Sequence, residues 1–259
     1  MKIITLLTDF GMKDAYAGIM KGVILSINPN AAIVDITHTV EAQDIREGAF
    51  LVHENYRWFP AGTVHIAVVD PTVGSARRPI IILSHNHIFV GPDNGIFSLV
   101  MGETPFAHVI ENPEFMLPTV SSTFHGRDIF SPVAAHLSKG ELPVAFGRQI
   151  DDPVCLGGLL PITEGEVLKG KVVRFDRFGN GITNISEDTL RGFAKGISFK
   201  VEIGAMSFSN ISASYYENDF TCLFGSSGYL EFGYFKGSFQ DKVGATKDDE
   251  VKVFKVNSR

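Results

Sequence analysis

The sequence has no run of 18 or more apolar residues, so no membrane-spanning helix is expected. It has no run of five or more basic residues and a formal charge of −6, so nucleic acid is not expected as a partner. It has only two cysteines, Cys155 and Cys222, and neither belongs to a CxxC pair. That gives no zinc ribbon and no redox pair, and the two isolated thiols read as packing residues of a cytoplasmic protein. Compact metal-ligand motifs such as HExxH are missing as well. There is no internal repeat and no low-complexity segment. The opening MKIITLLTDF carries an acid at position 9 and no small-residue cleavage site, so it reads as a first strand and not as a signal peptide.

What is present is a globular pattern. The chain has 259 residues, 44% apolar and 20% charged, enough for one or two domains with a sizeable core. KIITLLTD is a continuous apolar run bounded by DFG, as expected of a strand buried on both faces. A helical spacing follows at Tyr16, Ile19, Met20, Val23, Ile24 and Ile27, and Asn28-Pro29 ends it. AAIVDITHTV and TVHIAVVD read as further strands, with a helix pattern from Asp44 to Tyr56 between them. PIIILS and HIFVGPDNG pair as a hairpin through SHNH. In SPVAAHLSKG, Ser131 reads as an N-cap, Pro132 as the first helical residue and Gly140 as the stop. TFHGRDIF would then be the loop leading into that helix.

After Pro161 the helix period nearly vanishes, and short strands alternate with Gly-rich turns. The expected fold is an α/β domain with a mostly parallel sheet flanked by helices at 1–150, a linker at 151–165, and a small all-β, barrel-like domain at 166–259.

Polar clusters fall at the ends of the predicted strands: TDFGMKD (8–14), DITH (35–38), VDPTVGSARR (69–78), GPDNG (91–95), TFHGRD (123–128), DRFGN (176–180) and FGSSGY (224–229). In open α/β sheets, ligands bind at the carboxyl ends of strands. Singly, each cluster has a plainer reading. Asp70-Pro71 opens a turn, Arg77 and Arg78 are a solvated pair, His125 is a packed loop residue, and DNG and GSSG are turns. Their coincidence in this order is what carries information.

TDFGMKDAYAG, VDPTVGSARR, TFHGRDIF, DRFGNGITNI and GSSGYLE together resemble the S-adenosyl-L-methionine (SAM) hydroxide adenosyltransferases, the adenosine-forming SAM hydrolases related to the SAM-dependent fluorinase and chlorinase. The resemblance spans about residues 3 to 254. It implies an α/β domain, a β-barrel-like domain and a homotrimer, with SAM between the first domain of one subunit and the second domain of its neighbour. It puts the catalytic residues at Asp70, Arg77 and His125, holding a water. In the halogenating relatives, the positions matching Asp70 and His125 differ, and a carboxylate would repel a halide. Thr72 stands where many relatives carry Gly, and Ser226-Ser227 where the halogenating ones carry Ser-Arg.

The resemblance further implies Asp9 at the ribose hydroxyls and Asp14 and Asp176 near the methionine ammonium. Phe178 and Asn180 would meet the adenine, Ser226 and Ser227 the methionine carboxylate, and Phe124 would wall the nucleophile site. The implied reaction is displacement by water at the ribose C5′, giving adenosine and L-methionine without metal or cofactor. Two other classes stay open from the residues alone. One is a metal-dependent hydrolase using Asp9, Asp35, His38, Asp70, His125 and Asp128. The other is a module that binds SAM or adenosine without turnover.

Overall fold

IITLLT is apolar on both faces and forms β1 (Ile3–Thr8) at the heart of the first unit. The structure, a computed structural model, describes residues 2–102 and 105–256. The chain parts into two compact units between Leu156 and Gly157. The first unit continues with α1 (Tyr16–Ile27), β2 (Ala32–Thr37), α2 (Ile45–Asn55), β3 (Val64–Val68), β4 (Pro79–Ser84), β5 (His87–Pro92), β6 (Phe106–Val109), α3 (Ser131–Lys139) and β7 (Gln149–Ile150). Alternate residues of the central strands feed two cores. Ile4 and Leu6 of β1 and Val64, Ile66 and Val68 of β3 pack with Met20 and Ile24 of α1 and Val133 and Leu137 of α3. Leu7, Ala67 and Val69 face the other way, with Ile80, Ile82, Phe89 and Val52 of α2.

The sheet order is β2-β1-β3-β5-β4-β6-β7. The pairs β2/β1, β1/β3 and β3/β5 are parallel. The pairs β5/β4, β4/β6 and β6/β7 are antiparallel. The expected mostly parallel sheet is thus a mixed one. The reason lies at the hairpin. His85 and Asn86 both take positive φ, 51° and 63°, as a two-residue type I′ turn requires. Such a turn can only join antiparallel neighbours.

The approach to α3 also differs from expectation. Gly126–Phe130 is a π-helical turn that runs straight into α3, so Ser131 is not an N-cap. The Ser131 hydroxyl instead donates to the Gly126 carbonyl at 2.7 Å. Pro132 has no N–H to offer the preceding turn, and the Asp128 carbonyl accepts from Leu117 N–H at 2.9 Å. Gly140 does end the helix, at φ 110°.

The second unit holds β8 (Ile162–Glu164), β9 (Val167–Phe175), β10 (Gly181–Ser186), α4 (Glu187–Ala194), β11 (Phe199–Ile203), β12 (Met206–Phe208), β13 (Phe220–Phe224), β14 (Tyr229–Tyr234), α5 (Phe239–Val243) and β15 (Glu250–Lys255). Its antiparallel sheet runs β12-β11-β15-β9-β10-β14-β13, with β8 on β9, in a barrel-like sheet whose end strands β12 and β13 are not paired to each other. Leu168, Val172, Ile185, Leu230, Phe232, Val251 and Val253 fill its core. Two short helices correct the all-β expectation. Ser186 caps α4 by accepting from Thr189 N–H at 3.1 Å, and Ser238 caps α5 by accepting from Asp241 N–H at 3.0 Å.

His65 is a polar insertion in the apolar β3, only 2% exposed. Its Nδ1 lies 2.8 Å from Thr5 Oγ1 and its Nε2 3.1 Å from His87 Nδ1. Burial, helped by His87, pushes its pKa down to about 3. The folded imidazole is therefore neutral where the unfolded one protonates. Stability should fall as pH drops from about 6.5 towards 3, by up to about 1.4 kcal/mol per pH unit from this site. Denaturant titrations at pH 7.5, 6 and 5 check this, and His65→Gln should flatten the slope.

Candidate active site

Asp70 follows the end of β3, and Pro71 turns the chain away from the sheet. Val73 N–H donates to the Asp70 carbonyl at 3.3 Å, and Ser75 N–H to the Thr72 carbonyl at 3.1 Å. This tight loop returns Arg77 to Asp70. Arg77 Nε donates to Asp70 Oδ1 at 3.0 Å and Oδ2 at 2.8 Å, and Arg77 Nη2 also donates to Oδ2. The same Nη2 lies 2.7 Å from His125 Nδ1. The side chains of Asp70 and Arg77 are 4% and 7% exposed. The Phe130 ring lies under the guanidinium at 5.5 Å. Arg77 Nη1 is buried without a hydrogen-bond partner in the protein and remains a donor for a bound group.

A guanidinium only donates, so His125 Nδ1 must accept. The neutral ring then carries its proton on Nε2. Burial, followed by the Arg77 charge, holds the His125 pKa below its ordinary value, while Asp70 and Asp128 oppose the shift. The imidazole is therefore neutral around pH 7 and presents Nε2–H as a donor.

A glycine-dependent contact brings the loops together. Gly74 has φ 79°, and a Cβ there would meet the Ser122 carbonyl oxygen at 2.2 Å. This close approach packs the 70–78 loop on the segment just before His125. Arg78 turns elsewhere. It donates to Asp93 at 2.7 Å and to Asp152 at 2.7 Å, and Asp93 also accepts from Val154 N–H. Asn94 Nδ2 donates to the Val69 carbonyl at 2.8 Å, which fixes the chain just before Asp70. GPDNG is therefore a brace as well as a turn.

The remaining predicted residues fall in three groups. Asp9, after β1, accepts from Gln43 N–H at 2.9 Å, and Asp14 is exposed on the same loop. Phe124 is buried and makes edge contacts with Phe10 at 5.9 Å and Tyr16 at 5.2 Å. Phe10 and Tyr16 were not singled out as site residues. Their signal was their place in TDFGMKDAY beside Asp9 and Asp14, but Tyr16 reads as helix core and is in fact 46% exposed.

In the second unit, Asp176 organises the DRFGN loop. It accepts from Phe178 N–H, Asn180 N–H and Asn180 Nδ2, each at 2.9 Å. Phe178 stands 75% exposed and Asn180 is buried. Ser226 is exposed and Ser227 half-buried in the GSSG turn. A Cβ on Gly225 would fall 2.1 Å from Glu231 Oε2, and Tyr215 donates to Glu231. Neither Glu231 nor Tyr215 was legible, because both sit in ordinary strand or loop patterns.

The metal-hydrolase reading fares poorly on geometry. The one group of three ligand-type side chains close enough to share an ion, among the described residues, is Glu41, Asp44 and Glu47. None of the six expected ligands belongs to it. Asp70, Asp128 and Asp35 are instead paired to Arg77, Arg127 and Lys21.

An α/β unit with an Asp–Arg–His contact at one sheet edge, followed by an antiparallel β unit, defines a class of two-domain enzyme-like chains. The chain belongs to the SAM hydroxide adenosyltransferase family. The N-terminal domain of that family matches residues 4–147 and its C-terminal domain residues 170–252. An (R)-S-adenosyl-L-methionine hydrolase of Thermus thermophilus is 35% identical over 262 residues, covering 98% of this chain and 100% of that protein. A fluorinase of Nocardia brasiliensis is 28% identical, covering 78% of this chain and 77% of its own. The crystal structure of an uncharacterized conserved protein from Thermotoga maritima superposes with a TM-score of 0.89 at 34% identity, covering 97% of this chain and 100% of that one.

Gly74→Ala should separate the two loops and cost about 1–3 kcal/mol through backbone strain, before any repacking against Ser122. A calorimetric melt checks it. Arg77→Met removes the positive charge beside His125, so the His125 titration should move up. The imidazole C–H resonances followed by NMR between pH 4 and 9 would show it.

Proposed function

We propose that this protein hydrolyses SAM to adenosine and L-methionine by attack of water at the ribose C5′. The observation that carries the reading is the Arg77 guanidinium held between Asp70 and His125 at the carboxyl edge of the first sheet. Family membership and the full-length relative named as a SAM hydrolase support it.

The chemistry follows from what each group can offer. Arg77 cannot accept a proton, and His125 Nδ1 is already engaged. Asp70 therefore accepts the proton of the attacking water. A carboxylate has about four acceptor positions, and Arg77 does not fill them all. Arg77 Nη1 and His125 Nε2–H remain donors that can hold the water oxygen. The new bond is O–C5′. The bond that breaks is C5′–S⁺, whose electron pair returns to sulfur, so methionine leaves as a neutral thioether. Holding water and C5′ at attack distance supplies much of the acceleration. An anionic carboxylate at this point disfavours a halide nucleophile. No step needs a metal or a cofactor.

The substrate contacts belong to the same proposal. Asp9 takes the ribose hydroxyls, and Asp14 and Asp176 lie near the methionine ammonium, with Asp176 contributing only the acceptor capacity its loop leaves over. Phe178 stacks on the adenine and Asn180 pairs with it. Ser226 and Ser227 take the methionine carboxylate, and Phe124 walls the nucleophile site. We infer a homotrimer in which a neighbouring copy completes each site. The exposed apolar side chains of Tyr16, Ile19 and Leu25 on α1 suit such an assembly. No helix among the described residues is long and apolar enough to cross a membrane. The unpaired Cys155 and Cys222 suit the cytoplasm.

The test is SAM incubated with the purified protein, with and without EDTA, at low and high chloride, in ¹⁸O-labelled water. Adenosine carrying ¹⁸O on its 5′-hydroxyl, plus methionine, indifferent to EDTA and chloride, is the expected result. Asp70→Ala should lose about 10²-fold or more in kcat. Intact SAM alongside tight adenosine binding would replace the enzyme with a binding module.

A further inference from the structure

Thr8, His38, Asp35 and Lys21 form a polar line that the mechanism above does not use. Thr8 and His38 are buried. His38 Nδ1 lies 2.9 Å from Thr8 Oγ1. His38 Nε2 lies 3.1 Å from Asp35 Oδ1, close enough for a charge contact though not aligned as a hydrogen bond. Lys21 Nζ donates to Asp35 Oδ2 at 2.5 Å.

The line grips the loop that carries Asp9. Thr8 Oγ1 also accepts from Phe10 N–H at 3.3 Å. The His38 carbonyl accepts from Gly11 N–H at 2.6 Å, and the Thr8 carbonyl from Val40 N–H at 3.4 Å. Residues 8 and 11 are thus tied to the segment 38–40, and residue 10 to Thr8. Asp9 stands between them, its carboxylate on Gln43 N–H.

The charges along the line favour one order of protons. Lys21 keeps Asp35 anionic, and that carboxylate favours the His38 proton on Nε2. Nδ1 then accepts, and the Thr8 hydroxyl must donate to it. Having one proton only, Thr8 meets the Phe10 N–H as an acceptor.

We propose that His38 is a positioning residue, acting through Thr8, that presets Asp9 and Phe10 for the nucleoside half of the substrate. The proposal rests on the reading that Asp9 takes the ribose hydroxyls. It acts on ground-state binding and not on the water-activating group, since neither Thr8 nor His38 contacts Asp70, Arg77 or His125 through any hydrogen bond described above.

Thr8→Val is nearly isosteric and removes only the hydroxyl, so it tests the line with least risk to folding. Thr8→Ser restores the hydroxyl. Binding of adenosine and of methionine by calorimetry, and steady-state turnover of SAM, would be measured on each. Thr8→Val should weaken adenosine about tenfold and raise KM for SAM about as much, with kcat within about twofold and methionine affinity unchanged. Thr8→Ser should behave as the parent. Unchanged adenosine affinity in Thr8→Val overturns the proposal, and so does an equal loss for methionine or a fall in kcat matching the rise in KM. A parent protein that neither binds adenosine nor consumes SAM would defeat the ribose reading beneath it, a result visible before any variant is made.

Discussion

One guanidinium is asked to satisfy two acceptors from two separate loops. Arg77 neutralises the nearly buried Asp70 and donates to the neutral His125, 48 residues further on. Burying the Asp70–Arg77 pair is costly unless its geometry is good, and removing either partner would strand the other's charge. The surroundings answer that demand. Phe130 supplies a ring face beneath the guanidinium, Gly74 lets the loops touch, and Asn94 and the Arg78–Asp93 pair hold the chain on either side. Much of the first unit's loop structure can be read as support for this one cation.

The mixed sheet explains why the pair can form at all. β3 runs parallel to β5, and β4 runs antiparallel to it. Pro79 at the start of β4 is registered against Pro92 at the end of β5. The chain thus leaves β3 and enters β4 at the same sheet edge. Asp70 and Arg77 both lie in that short connection. Had β4 been parallel, the chain would have needed a crossover to the opposite edge, and an arginine just before it would have lain far from Asp70.

Much of this was legible in particular residues. The apolar run of β1, the Asn28-Pro29 stop after α1, the SHNH hairpin and the Gly140 stop each follow from local rules. The antiparallel β6 and β7 were not legible, because FAHV and QI are too short to show a strand pattern. α4 and α5, with eight and five residues, are too short to show a helical period, although Ser186 and Ser238 are ordinary capping residues. The π-helical turn left no trace except Pro132. The family resemblance pointed to Asp70, Arg77 and His125, and in the structure Arg77 contacts both of the others. The different duties of Arg77 and Arg78 could not be told apart, since adjacent residues diverge only once Asp93 and Asp152 are in place. The contacts of Phe10 and Tyr16 with Phe124 depend on tertiary packing across more than a hundred residues, and no local pattern announces them.

The link between Leu117 and Asp128 bears on how the site comes into being. Because Pro132 offers no amide proton, the Asp128 carbonyl is tied by Leu117 instead, so the shape of the His125 turn depends on a stretch of chain outside its own helix. A growing polypeptide would carry Asp70 and Arg77 long before it carried that turn. During synthesis the arginine would have its carboxylate but no imidazole, and the contact of all three side chains would be complete only when the first unit had closed on itself. The Arg77–His125 contact is in this sense a late step of assembly.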